Sequence, residues 1–121
     1  MGQPLYQWPM PDGFPDKTSA WTGGLLPRWN YALALTGNGI GGTHVDLNAP
    51  LAAAKAHSDS DMLDVMVETI YGRPYGAADL SGVRAQVAGH IARARRDGVP
   101  EATVRAETAA LLLCAPPFQW K

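Results

Sequence analysis

Proline and glycine are crowded into the first 24 residues, and this crowding divides the sequence into two parts. The positions concerned are Gly2, Pro4, Pro9, Pro11, Gly13, Pro15, Gly23 and Gly24. Since proline lacks a backbone donor and fixes φ, neither a helix nor a central strand is expected to pass through this segment. The sequence therefore predicts an irregular, extended N-terminal arm over residues 1–24.

The same arm carries large apolar side chains, which a disordered tail rarely holds. They are Leu5, Tyr6, Trp8, Met10, Phe14 and Trp21. Two interpretations stay open. The arm covers an otherwise exposed helical core, or its rings stack on a sugar, a peptide or a partner surface. The candidate binding residues are Trp8, Asp12, Phe14, Trp21, Arg28 and Asn30, the last two as hydrogen-bonding ties between the arm and the first helix.

The remainder, residues 25–121, has the signals of a small helical bundle. Apolar spacing with flanking Gly, Pro, Ser and Asn residues predicts five helices, and no segment shows convincing β alternation. The predicted helices span residues 25–36, 49–57, 60–71, 80–97 and 100–114. A chain of 121 residues favours one domain. The expected fold class is therefore all-α, with about five helices.

Helical spacing also predicts which faces are buried. On the first helix, Leu26, Trp29 and Leu33 share one face, which Leu25, Ala32 and Leu35 widen, and this face is expected to meet the core. The later predicted stripes are Leu63, Met66, Val67 and Ile70; Val83, Val87, Ile91 and Ala94; and Val104, Thr108, Leu111 and Leu112. Pro116 and Pro117 end the fifth helix, and the apolar tail over residues 118–120 is expected to dock back onto the bundle.

The formal net charge of −1 gives the chain no general attraction for nucleic acid. The third helix carries the acids Asp59, Asp61, Asp64 and Glu68, whereas the fourth carries Arg84, Arg93, Arg95 and Arg96. Ion pairing between these two helices is the economical interpretation. The more specific alternative is that the fourth helix recognises DNA, but the sequence lacks the wider basic surface of such domains.

No complete catalytic or metal-binding motif is present, and we expect no cofactor and no metal. The candidates are His44, Asp46, His57 and His90, with no histidine pair at helical spacing. The glycine-rich loop over residues 37–42 follows a helix and lacks the Lys-Ser/Thr pair of a phosphate-binding loop. Cys114 is the single cysteine of the chain, so no intramolecular disulfide can form, and its thiol is expected to lie in the core.

The start of the chain lacks the basic and apolar regions of a signal peptide. No stretch approaches the roughly 20 apolar residues of a membrane helix. As written, the sequence predicts a cytoplasmic protein without membrane insertion.

Three stretches resemble a known bacterial family. Residues 2–15 read GQPLYQWPMPDGFP, Trp21 follows, and residues 25–32 read LLPRWNYA. Together with residues 109–119, AALLLCAPPFQ, they are similar to the C-terminal part of the family named domain of unknown function 1800. Ala115 and Pro117 stand where that family usually has Ser and Glu, so no role for those two residues carries over.

The resemblance implies a largely helical protein, with relatives that are several times longer and often exported. It supplies no established activity. It makes this chain a truncated product or an excised domain, partnered by the remainder of the longer protein or by another protein. The first hypothesis is thus a structural or interaction module that is not an enzyme by itself. The alternative is an incomplete hydrolase of envelope or carbohydrate material, with Asp12, His44, Asp46 and His90 as candidates.

Overall fold

A computed structural model describes residues 24–72 and 77–119, with side chains of residues 77–79 excepted. The helices are α1 (Leu25–Thr36), α2 (Asn48–Ala53), α3 (Asp59–Tyr71), α4 (Ala77–Arg96), α5 (Glu101–Cys114) and α6 (Pro116–Gln119). These residues contain no strand, so the all-α prediction is confirmed. The predicted arm lies, up to Gly23, outside the described residues. Among the described helices, none has the length and apolar character to cross a membrane.

Helix α3 begins and ends at the residues that its sequence signals indicate. Ser58 Oγ accepts from the Asp61 backbone N–H at 3.0 Å, and the Asp61 carboxylate accepts from the Ser58 N–H at 3.0 Å. This reciprocal capping box satisfies two donors that the first turn leaves unpaired. The Ser58 hydroxyl, with the backbone N–H groups of His57 and Ser58, lowers the pKa of Asp61. Gly72 ends the helix at φ 71°.

Two predicted boundaries were wrong. Helix α2 ends at Ala53 rather than at residue 57, because Lys55 adopts a left-handed φ of 52° and the Ala56 N–H returns to the Leu51 carbonyl at 3.0 Å. Helix α4 begins at Ala77 rather than at residue 80. A run that starts with alanine favours helix there.

The core lies between α2, α3, α4 and α5. Tyr71 closes it at the end of α3 by donating from its hydroxyl to the Leu112 carbonyl oxygen at 2.9 Å. The apolar members are Leu51, Met62, Leu63, Met66, Val67, Tyr71, Leu80, Val87, Ile91, Ala94, Val104, Ala109 and Leu112. The predicted stripes of α3, α4 and α5 are largely confirmed, although Leu111 is 40% exposed.

The predicted buried face of α1 was right for Ala32 and wrong for its three central residues. Helix α1 packs against α5, and its buried residues are Ala32 and Thr36. Leu26, Trp29 and Leu33 remain 63%, 42% and 54% exposed. The Thr36 hydroxyl is satisfied within the helix, since it donates to the Ala32 carbonyl oxygen at 3.0 Å. Small side chains at the contact let the two helix axes approach closely.

Ion pairs connect the acidic and basic helices, as the charge pattern predicts. Arg84 of α4 pairs with Asp64 of α3. Arg95 of α4 pairs with Asp59 of α3 at 2.8 Å and also with Glu101 of α5. These contacts raise the pKa of Arg95, first through Glu101 and then through Asp59. Arg95 thereby joins the ends of three helices.

Candidate functional site

A cleft lies where α1 meets the end of α5 and the short helix α6. We call it the α1–α6 cleft. It is lined by Arg28, Tyr31, Ala32, Leu35, Leu113, Phe118 and Gln119, and its volume is about 330 Å³. Four of these are large apolar or aromatic side chains, whereas Arg28 carries a charge. Such a concave, largely apolar surface with few polar groups is typical of a binding site.

The polar end of the cleft is formed by Arg28 and Gln119. Gln119 is held in place because its Nε2 donates to the Leu113 carbonyl oxygen at 2.6 Å. Its Oε1 then accepts from Arg28 Nη1 at 3.5 Å, near the upper limit for a hydrogen bond. Among the described residues, no carboxylate pairs with Arg28. The guanidinium keeps donors that suit a carboxylate or carbonyl oxygens.

The short helix α6 is held in its position by side-chain packing. Phe118 stacks edge-to-face on Tyr71, with ring centroids 6.1 Å apart and planes at 61°. This geometry is a favoured arrangement for two aromatic rings. The expectation that the tail docks back is confirmed for Phe118 and Gln119, whereas Trp120 lies outside the described residues.

A second apolar surface lies on a different face of α1. Leu26, Trp29 and Leu33, spaced three and four residues apart, form what we call the α1 stripe. All three side chains are more than two-fifths exposed. A helix on the surface of a globular domain normally buries its apolar stripe. The α1 stripe is therefore a candidate contact surface.

The structure places the predicted binding residues in different locations. Arg28 lines the α1–α6 cleft. Asn30 is exposed and is absent from the cleft wall. The others, Trp8, Asp12, Phe14 and Trp21, lie outside the described residues. The proposed ties from Arg28 and Asn30 to the arm therefore remain predictions.

Sequence reasoning singled out Arg28, Leu35 and the docking tail, but it did not group them with Tyr31 and Leu113 in one cleft wall. Arg28, Tyr31 and Leu35 follow i, i+3 and i+7 spacing, which indicates one helix face. That signal was available, but the stronger stripe of Leu26 and its neighbours obscured it. Leu113 offered no signal, because its place in the cleft depends on how α5 packs against α1.

Of the hydrolase candidates within the described residues, Asp46 and His90 contact structural partners, and these partners differ. His44 is exposed in the loop before α2. Asp46 accepts from the Asn48 and Ala49 N–H groups at 2.8 and 3.2 Å, and so satisfies backbone donors in the first turn of α2. His90 of α4 contacts Glu107 of α5 at 2.9 Å. Within residues 24–72 and 77–119, no three His, Cys, Asp or Glu residues are grouped as metal ligands.

The glycine-rich loop after α1 is closed by an asparagine. Asn38 Nδ2 donates to the Val45 carbonyl oxygen at 3.1 Å, and its Oδ1 accepts from the Val45 N–H at 2.6 Å. Asn38 has a φ of 56°, a conformation that asparagine tolerates better than most residues. The Asn38 side-chain amide thus donates one hydrogen bond to the Val45 backbone and accepts another from it, as the backbone of a neighbouring strand would.

Cys114 is half-buried at the end of α5, rather than fully buried as predicted. Burial raises the pKa of its thiol. A raised pKa lowers the thiolate fraction and therefore the nucleophilic reactivity. The finding agrees with a structural thiol and disfavours a nucleophile.

The fold and these two surfaces define a small helical module, and comparison with known proteins places it in a family. The family model described as Protein of unknown function (DUF1800) matches residues 1–120. The chain therefore belongs to this family, as the sequence resemblance implied. No curated protein and no solved structure matches the chain.

Proposed function

We propose that this chain is a non-catalytic packing module whose α1 stripe contacts the remainder of a longer protein of the DUF1800 family. The observation that carries the proposal is the exposure of Leu26 and Leu33, at 63% and 54%, beside Trp29 on one helix face. Contiguous apolar surface of this kind marks interaction sites on soluble domains.

The composition of the stripe supports a protein partner. Tryptophan is enriched among the residues that dominate binding energy at protein interfaces, and flanking leucines exclude water from such a centre. The stripe carries no charged side chain of its own. An acidic or basic ligand therefore finds little complementary charge on it.

The choice of partner rests on the family. The resemblance set out above implies that members are several times longer than the 121 residues of this chain. A partner that is covalently joined in longer members needs no high intrinsic affinity, because tethering raises its effective concentration. A moderately exposed apolar stripe fits such a contact.

The test is a titration of this chain with the preceding region of a longer family member, expressed as a separate polypeptide and followed by calorimetry. We expect a complex that Leu26→Glu and Leu33→Glu each weaken by at least roughly tenfold, because each variant buries an unpaired carboxylate in an apolar contact. Ala85→Glu, at an exposed position on α4, is the matched control and should leave the affinity unchanged. Absence of binding between two folded partners at roughly millimolar concentration, which a short tether supplies, would refute the proposal.

A further inference from the structure

The α1–α6 cleft combines two features that call for an occupant. Its apolar wall includes Tyr31 and Phe118, which are still 46% and 38% exposed. Its charged residue, Arg28, has only the long 3.5 Å contact with the neutral Gln119 among the described residues. A guanidinium near apolar surface is best satisfied by a carboxylate. The fitting occupant therefore supplies an aromatic or apolar side chain and an acid from neighbouring positions.

The N-terminal segment of this chain joins the fold at the same place. Residues 1–23 lead into Gly24, and Arg28 lies one turn into the helix that follows. Helix α1 is about 18 Å long, whereas the residues between Phe14 and Gly24 can extend over about 30 Å. The cleft is therefore within easy reach of the segment without any second molecule.

The composition of the segment matches the cleft. Phe14 and Asp12 lie two residues apart, so one short stretch delivers both a ring and a carboxylate. Pro11 and Pro15 flank them, and prolines restrict the backbone before docking, which lowers the entropy lost on ordering. Proline-rich segments bind aromatic-lined grooves for this reason.

We propose that residues 11–15 of this chain occupy the α1–α6 cleft, with the Phe14 ring against Leu35 and Leu113 and the Asp12 carboxylate paired with Arg28. The occupied surface differs from the α1 stripe of the proposed function. Either proposal can therefore fail while the other stands.

The experiment is a ¹³C-edited NOESY spectrum of the full 121-residue chain. We expect cross-peaks from the Phe14 ring to the methyl groups of Leu35 and Leu113. Asp12→Asn and Arg28→Gln should each cause their loss or marked weakening. Leu26→Ser, on the α1 stripe, is the control and should leave them unchanged.

A mixture of isotope-labelled and unlabelled chains distinguishes docking within one chain from docking of a second copy. Isotope-filtered spectra of this mixture should lack the Phe14 cross-peaks, because the proposed contact is within one chain. Their presence there would assign the cleft to a second copy and overturn the proposal. The absence of cleft contacts from Phe14 in every sample would also overturn it, and would leave the cleft to an outside partner.

Discussion

The Tyr71 hydroxyl donates a 2.9 Å hydrogen bond to the carbonyl oxygen of Leu112, and both residues are buried. Leu112 lies in the last turn of α5, where carbonyl groups have no full set of helical partners. The bond ties the end of α3 to the end of α5. It also fixes the ring on which Phe118 packs, so it supports the wall of the α1–α6 cleft.

Tyr71→Phe should reduce the free energy of unfolding by about 1 kcal/mol, because it removes this buried hydrogen bond and keeps the ring. Urea unfolding followed by circular dichroism measures the change. Tyr31→Phe, at a tyrosine that is 46% exposed, is the matched control and should have little effect. Equal effects of the two substitutions would contradict a specific role for the Tyr71 hydroxyl.

Thr108→Val should increase stability. The Thr108 side chain is fully buried on α5, and its Oγ1 has no hydrogen-bond partner among the described residues. A buried unpaired hydroxyl costs about 1–3 kcal/mol, and valine has a similar shape without that group. Thermal unfolding should show a higher Tm for the variant. Thr103→Val, at an exposed position of the same helix, controls for the helix propensity of valine. A lower Tm for Thr108→Val would show that the hydroxyl has a partner.

Glu101→Gln should destabilise the chain at neutral pH and not at acid pH. The hydrogen bond from Arg95, aided by the charges of Arg95 and Arg105, lowers the pKa of Glu101. A carboxylate with a lowered folded-state pKa adds stability above its unfolded pKa of about 4.3, and this stability is lost as the pH falls through the folded value. Since Glu101 is 43% exposed, the loss at pH 7 should stay below about 1 kcal/mol.

Urea unfolding at pH 7 and near pH 3 measures this difference. Glu68→Gln removes an exposed carboxylate that has no ion pair among the described residues, and it serves as the control. A gap between Glu101→Gln and the parent chain that is the same at both pH values would exclude the ion pair as its cause.

Ser58→Ala should lower stability by about 1 kcal/mol, because it removes the N-cap acceptor of α3. Ser60→Ala lies two residues further on, inside the first turn, and should change stability far less. Both effects are measured by thermal unfolding. If Ser60→Ala were the more damaging of the two, the assignment of the cap to Ser58 would be incorrect.

Cys114 should react more slowly with a thiol reagent in the folded chain than in urea. Burial raises the pKa of this thiol, and the thiolate is the reactive form. Absorbance after addition of Ellman's reagent gives both rates. A folded chain that reacts as fast as the unfolded one would place Cys114 at an open surface.

The stops and starts of the helices were largely predictable, because they depend on local chemistry. Ser58 and Gly72 bound α3 through a cap and a left-handed turn that neighbouring residues decide. Where a boundary was wrong, as at the end of α2, it depended on Lys55 entering a left-handed conformation that non-glycine residues seldom adopt. The sixth helix was missed because its four residues have no periodic pattern.

The sequence by itself determined the helical class, the core stripes of α3 to α5 and the pairing of acidic α3 with basic α4. Periodicity suffices where one face of a helix is apolar and the others are polar. Helix α1 has leucine and aromatic residues on several faces, so periodicity did not select one. Tertiary packing against α5 decided which face of α1 is buried. The narrow face of Ala32 and Thr36 allows the closest approach of the two helices, and Ala110 of α5 is likewise small and buried. That choice leaves the α1 stripe exposed and opens the α1–α6 cleft.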